Sequence, residues 1–167
     1  MISFHVQSDN FKIKKGGFMI SKILVATDGS ETARKSIGYA IELAKQTGAS
    51  LTFLSVIDKS FFTTKLIPSV ATPTHLIEPI EDYLRQAAEA HLKETEKLCE
   101  KKGLQSKGII RSGHPVEEIT KEAEKSKTDL IIMGSHGRSA LKAAVIGSVT
   151  FGVIHKDTKI PVLVVRK

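Results

Sequence analysis

Lys22-Ile23-Leu24-Val25-Ala26-Thr27-Asp28-Gly29-Ser30 decides the fold. Ile23 to Ala26 is an unbroken apolar run with no polar face, so it reads as a strand covered on both sides. Asp28, Gly29 and Ser30 stop it, and Ser30 is placed to cap a helix. Ala33, Ile37, Ala40, Ile41 and Ala44 then recur at helical spacing, and Gly48 closes that helix. A buried strand, a polar turn and an amphipathic helix open a β–α–β unit.

The pattern repeats downstream. Ser50 to Ile57 reads as a second strand. Residues 58 to 75, with Pro68 and Pro73, form a loop long enough to suggest mobility or function. Ile80, Leu84, Ala87, His91, Thr95 and Leu98 mark the expected buried face of a long helix that stops at Gly103. Leu104 to Arg111 is a third strand, expected at an edge. Pro115 suits the first turn of a helix whose apolar face is Val116, Ile119 and Ala123. Asp129 to Met133 is the fourth strand. A glycine-rich stretch, Gly134 to Ser148, leads into a helix over Val149 to His155, and Ile160 to Val165 is the last strand. Strands alternating with helices imply parallel pairing and right-handed crossovers, an α/β fold.

The chain has 167 residues, enough for one domain with a real core. Residues 1–18 differ from the rest: no period persists, so they are expected to be a flexible tail before a single folded domain at 19–167. They lack the apolar core and cleavage site of a secretory signal. No apolar run approaches the roughly 20 residues of a membrane span. Net charge is +7, of which Lys12, Lys14 and Lys15 against Asp9 put +2 in the tail. Nucleic-acid binding is disfavoured, because Lys and Glu are interspersed along the helices and there is no Trp. Cys99 is the only cysteine and cannot make an internal disulfide, which fits a reducing cytoplasm.

In open α/β sheets, ligands bind beyond the carboxyl ends of strands where the strand order reverses. Two segments sit at such ends. One is Ala26-Thr27-Asp28-Gly29-Ser30. The other is Gly134-Ser135-His136-Gly137-Arg138, completed by Gly147-Ser148, with the spacing G-x2-G-x9-G-[S/T]. Gly134 and Gly137 can take φ > 0 and let a ligand approach the backbone. Successive N–H groups there can form an anion-binding nest, and Gly147-Ser148 opens a helix whose N-terminus presents free donors. Ser148 and Thr150 can add hydroxyl donors, and Arg138 a positive charge. No G-x4-G-K-[S/T] marks a Walker-type NTPase, no G-x-G-x-x-G follows the first strand, and no G-x-S-x-G marks a hydrolase nucleophile. No sequence motif pairs His136 with a base or nucleophile, so catalysis by it is not expected. His91, His114 and His155 show no metal-ligand spacing and read as structural or solvent-facing.

The chain resembles the universal stress proteins, specifically their ATP-binding branch. The resemblance is carried by Ile23 to Ser30, by Gly134-Ser135-His136-Gly137-Arg138-Ser139, by Gly147-Ser148-Val149-Thr150 and by Pro161 to Val165. It implies a Rossmann-like, adenine nucleotide alpha hydrolase-like three-layer sandwich with five parallel strands in the order 3-2-1-4-5. It implies ATP, with Mg²⁺ as a candidate companion, lying across the ends of strands one and four. Asp28 is then expected near the ribose or a phosphate-bound metal, Val56 against adenine, and Met133 and Gly134 beside the nucleotide. Gly137, Gly147, Ser148 and Val149 should hold the phosphates. Ala26, Thr27, Ser135, Arg138 and Thr150 complete the candidate set. No catalytic or metal-ligating residue is singled out. The resemblance also implies a homodimer through 161–165.

Three functional readings stay open on the sequence. The leading one is a nucleotide-responsive regulatory protein of the stress response. The second is a slow ATPase, or a phosphoryl or nucleotidyl transferase using Asp28 and Arg138. The third is a dimeric adaptor that binds no nucleotide.

Overall fold

The computed structural model describes residues 3–5, 20–58, 77–138, 146–156 and 158–166. Apart from residue 58, the long loop expected at 58–75 lies outside the described residues. Among the described residues the elements are, in order, β1 (Ser3–His5), β2 (Lys22–Ala26), α1 (Glu31–Thr47), β3 (Ser50–Ile57), α2 (Ile77–Glu100), β4 (Ser106–Ser112), α3 (Pro115–Lys125), β5 (Leu130–Gly134), α4 (Ser148–His155) and β6 (Val162–Val165).

The sheet order is β1-β6-β5-β2-β3-β4. β2 to β6 are mutually parallel, with Ile23 opposite Leu51 on one side and Leu130 on the other. In the numbering of the five expected strands this is the order 3-2-1-4-5, with the edge strand where the sequence placed it.

Period-2 side chains send alternate residues to opposite faces. Ile23, Val25, Leu51, Phe53, Ile132 and Leu163 meet Ile37, Ala40, Ile41 and Ala44 of α1 and Leu92 and Cys99 of α2. Leu24, Ala26, Leu54, Ile131, Met133 and Val164 meet Ile119 and Ala123 of α3 and Val153 of α4. Helices thus cover both faces, which is why β2, β5 and β6 carry runs rather than alternation. Ser30 caps α1 by accepting from the Ala33 N–H at 3.3 Å, and Gly48 ends it at φ 73.

Two expectations change. The buried face of α2 is Leu92, Thr95 and Cys99, while Ile80 and Leu98 are exposed. The cause is Gly108 of β4: a Cβ there would lie 3.0 Å from Leu92 Cβ, so the missing side chain makes the hollow that Leu92 enters. Rotating Leu92 inward carries Leu98 out. The sheet also has a sixth strand. Ser3–His5, within the expected tail, pairs antiparallel with β6, setting Ser3 opposite Val164, Phe4 opposite Leu163 and His5 opposite Val162. It covers the open N–H and C=O row of an otherwise bare apolar edge.

Candidate functional site

The chain leaves β2 to one side of the sheet and β5 to the other, so the strand order reverses between their carboxyl ends. Such a reversal is where open α/β sheets generally bind ligands. Three hydrogen bonds tie the two loops together. Asp28 Oδ2 accepts the Arg138 N–H at 2.8 Å, while Asp28 Oδ1 accepts the Ser30 N–H at 3.0 Å. From the first turn of α1, the Thr32 and Ser30 hydroxyls both donate to the His136 carbonyl. Asp28 therefore acts as a clasp between loops as well as a turn cap.

The loop after β5 is held on its other side too. The Ser135 N–H donates to the Val165 carbonyl, and the Ser135 carbonyl accepts the Gly147 N–H, both at 2.8 Å. Ser135 is buried, with its hydroxyl 2.9 Å from His136 Nδ1. The Thr150 hydroxyl donates to the Gly134 carbonyl at 2.8 Å, bracing α4 against β5. These bonds place the N-terminus of α4, at Ser148, beside the β5 loop. The first N–H groups of a helix have no intrahelical acceptors, and the helix dipole makes that end positive.

The glycines divide by cause, and Gly134 and Gly137 do not use the positive φ that glycine allows. Neither is in that region, which is occupied by Gly29, Gly48, Gly103 and Gly113. Space decides instead. A Cβ on Gly134 would sit 2.6 Å from Thr32 Oγ1 and 2.9 Å from the Thr32 backbone, and one on Gly137 2.7 Å from Asp28 Oδ2. Those two glycines admit the clasps between loops. Gly147 differs: its φ is −72, and a Cβ would meet its nearest atoms, His136 Cα and the Ser135 carbonyl, at 3.4 Å, an ordinary contact. Among the described residues, no contact closer than 3.4 Å demands glycine at 147.

Ala26, Val56, Met133 and Val149 belong to one apolar cluster on the α3/α4 side. Thr27, one step further along β2, points to the opposite side, where its hydroxyl lies 3.2 Å from His91 Nε2. Arg138 reaches back over the first loop, so that a Cβ on Gly29 would lie 2.9 Å from its guanidinium. Ser148 is exposed at the mouth of the cradle. Hydrogen bonds thus join Asp28, Ser30, Thr32, Ser135, His136, Arg138, Gly147 and Thr150 near the carboxyl ends of β2 and β5, and Ala26, Val56, Met133 and Val149 share an apolar cluster.

The model of the universal stress protein family matches residues 19–166. The chain belongs to the universal stress protein family. It is 37% identical to universal stress protein MJ0577 of Methanocaldococcus jannaschii, over 89% of this chain and 96% of that one. It is 34% identical to universal stress protein YxiE of Bacillus subtilis, over 89% and 100%. The solved structure of MJ0577 superposes with a TM-score of 0.76 at 35% identity, covering 89% of this chain and 97% of that one. Two universal stress proteins solved with nucleotides share the fold. One is in complex with cAMP (22% identity, TM-score 0.61, 89% and 98% covered). The other, from Archaeoglobus fulgidus, is in complex with dAMP (19%, 0.57, 88% and 98%).

In this universal stress protein two residues of the crevice escaped the sequence reading. Thr32 looks like any residue of a first helical turn, and only the hollow at Gly134 gives it a role. His91 is separated from Thr27 by 64 positions and had been grouped with the scattered histidines. It is half-buried, and its pKa is lowered, first by burial and then by the charge of Arg34, with Arg138 adding to this and Glu94 and Asp28 opposing it. Among the described residues, no group of three or more His, Cys, Asp or Glu is arranged to hold a metal ion, and no helix is long and apolar enough to cross a membrane.

Proposed function

We propose that this universal stress protein binds ATP in the crevice between β2 and β5 and acts as a nucleotide-responsive regulator. Gly147 carries the reading. It is a helix N-cap without a side-chain cap bond, it has room for a Cβ, and its backbone needs no glycine. A phosphate backed onto the N–H groups of Ser148, Val149 and Thr150 supplies the missing reason for a bare backbone there. Gly137 and Arg138 would border the phosphates. The apolar cluster of Ala26, Val56 and Met133 would take the base. Complexes of two fold relatives with cAMP and dAMP agree with an adenine nucleotide as the ligand class.

Binding is favoured over turnover by how the polar groups are employed. Both Asp28 oxygens accept backbone N–H groups, and the Thr32 and Thr150 hydroxyls donate to carbonyls. Asp28 is thus engaged in joining the two loops and in turning the chain into α1. Mg²⁺ arriving with ATP would be held mainly by phosphate and water, as is usual for this ion. The lone thiol, Cys99, is buried and unpaired, which supports work in a reducing cytoplasm.

The test is calorimetric titration of ATP with Mg²⁺ into nucleotide-stripped wild type and Gly147→Glu, with NAD and AMP as controls. Micromolar ATP binding that the added carboxylate abolishes supports the reading. Absence of ATP binding by the wild type refutes it and leaves the adaptor reading.

A homodimer through 161–165 would need the outer edge of β6, which β1 occupies in the single chain. Pairing with β1 and pairing with a second copy are mutually exclusive. Replacing Ser3, Phe4 and His5 together by proline removes every N–H that β1 can donate. Light scattering should then show a larger dimer fraction than in the wild type; an unchanged fraction argues against competition at this edge.

A further inference from the structure

His91 lies on α2, outside both loops of the crevice, yet charged groups face it from four segments. These are Arg34 from α1, Glu94 from its own helix, Arg138 from the loop after β5 and Asp28 from the loop after β2. Asp28 and Arg138 are the two residues that clasp the loops together at 2.8 Å. The imidazole touches the same crevice through Thr27, with Nε2 at 3.2 Å from Oγ1. Its backbone is anchored one turn on, where the Thr95 hydroxyl donates to the His91 carbonyl at 2.9 Å.

We propose that His91 is a proton-linked wall of the crevice: a polyphosphate anion binding there draws a proton onto its imidazole, so affinity rises as pH falls. The inference rests on the nucleotide reading above and adds to it a residue and a pH dependence.

The physical argument is one of sign. With no anion present, burial and the two arginines oppose a charge on the ring and hold its pKa below the ordinary imidazole value, against a partial offset from Glu94 and Asp28. A bound polyphosphate brings several negative charges into the field of Arg34 and Arg138. It cancels the repulsion that kept the ring neutral and favours the imidazolium. Linkage then requires that anything raising the pKa on binding binds more tightly at lower pH. The hydrogen bonding permits the change. Thr27 Oγ1 already accepts the Gly29 N–H at 3.3 Å, and a protonated Nε2 donates to the same oxygen, freeing the hydroxyl hydrogen for a further acceptor.

The experiment is ATP titration of the full chain and of His91→Gln from about pH 8 to about pH 5.5, a range that brackets an ordinary imidazole. Buffers of different ionisation enthalpy report the protons taken up. The nucleotide's own terminal phosphate titrates in both proteins, so it cancels in the difference between them. The wild type should take up more protons per ATP than the variant. Its affinity should also gain more on acidification, by up to about tenfold for each unit by which binding raises the His91 pKa. Proton NMR of the wild type gives a second readout that needs no variant: the His91 ring resonances should titrate at higher pH with ATP bound than without. ATP binding with equal proton uptake in the two proteins, or with an unmoved His91 titration, overturns the role of His91 and leaves the nucleotide site standing. Failure of the wild type to bind ATP at any pH overturns both.

Discussion

Alanine at two glycines of the same loop system should separate ligand binding from folding. At Gly147 a Cβ would rest 3.4 Å from His136 Cα and the Ser135 carbonyl, and 3.7 Å from the Gly137 nitrogen, at φ −72. That is ordinary contact in an ordinary conformation. The remaining cost is alanine's weaker fit to an N-cap, about 1 kcal/mol or less. At Gly134 the Cβ would lie 2.6 Å from Thr32 Oγ1 and 2.9 Å from Thr32 backbone carbon, and the backbone of α1 cannot swing aside as a side-chain tip can. Overpacking of this kind costs about 1–3 kcal/mol, roughly 3–12 °C in Tm for a domain of this size. Gly147→Ala should therefore keep a Tm near wild type and lose at least about tenfold in ATP affinity, the equivalent of about 1.4 kcal/mol. Gly134→Ala should melt markedly earlier. Thermal melts followed by calorimetric titration read both quantities on the same samples. Wild-type ATP affinity in Gly147→Ala, or a fall in its Tm as large as that of Gly134→Ala, would refute the assignment of Gly147 to the ligand and Gly134 to packing.

Three further outcomes follow from the packing and the charges. Glu122 is 7% exposed and receives Arg111 at 2.7 Å and 3.2 Å. Arg111→Met should cost about 1–3 kcal/mol in urea unfolding by stranding that carboxylate, and adding Glu122→Gln should recover part of the loss. Cys99 is fully buried and burial raises its thiol pKa, so a thiol reagent should label it in urea but not in the native protein. Burial and the charge of Arg34 hold the folded-state pKa of His91 below the ordinary imidazole value. Above that pH both states carry a neutral ring. As pH falls below it, the unfolded chain takes up the proton first, so the wild type should lose stability on acidification faster than His91→Gln. Urea titrations of both proteins at either end of that window check the difference.

Much of the site was legible because it rests on local chemistry. Ser30 as a cap, Gly48 as a left-handed stop and Pro115 in a first turn each depend on a few neighbouring residues. The G-x2-G-x9-G-[S/T] spacing was visible for the same reason, and so was its position after a strand. The cause of each glycine was not legible, because a glycine that turns the chain and one that makes room for Thr32 look alike in a sequence. Nor was the face of α2: its apolar stripe admits two rotations, and the hollow over Gly108 on another strand chooses between them.

The sequence by itself determined the alternation of strands and helices, the parallel sheet and the family, since apolar period and turn chemistry are properties of short segments. The tertiary structure decided which residues face the crevice. It set His91 of α2 against Thr27 just after β2, Thr32 of α1 against the hollow at Gly134, and Ser3–His5 along the open side of β6. Each of these pairs is brought together only when the sheet has been assembled and its helices laid on both faces, because the contact energy lies between segments distant in sequence. No local pattern in the chain encodes that distance.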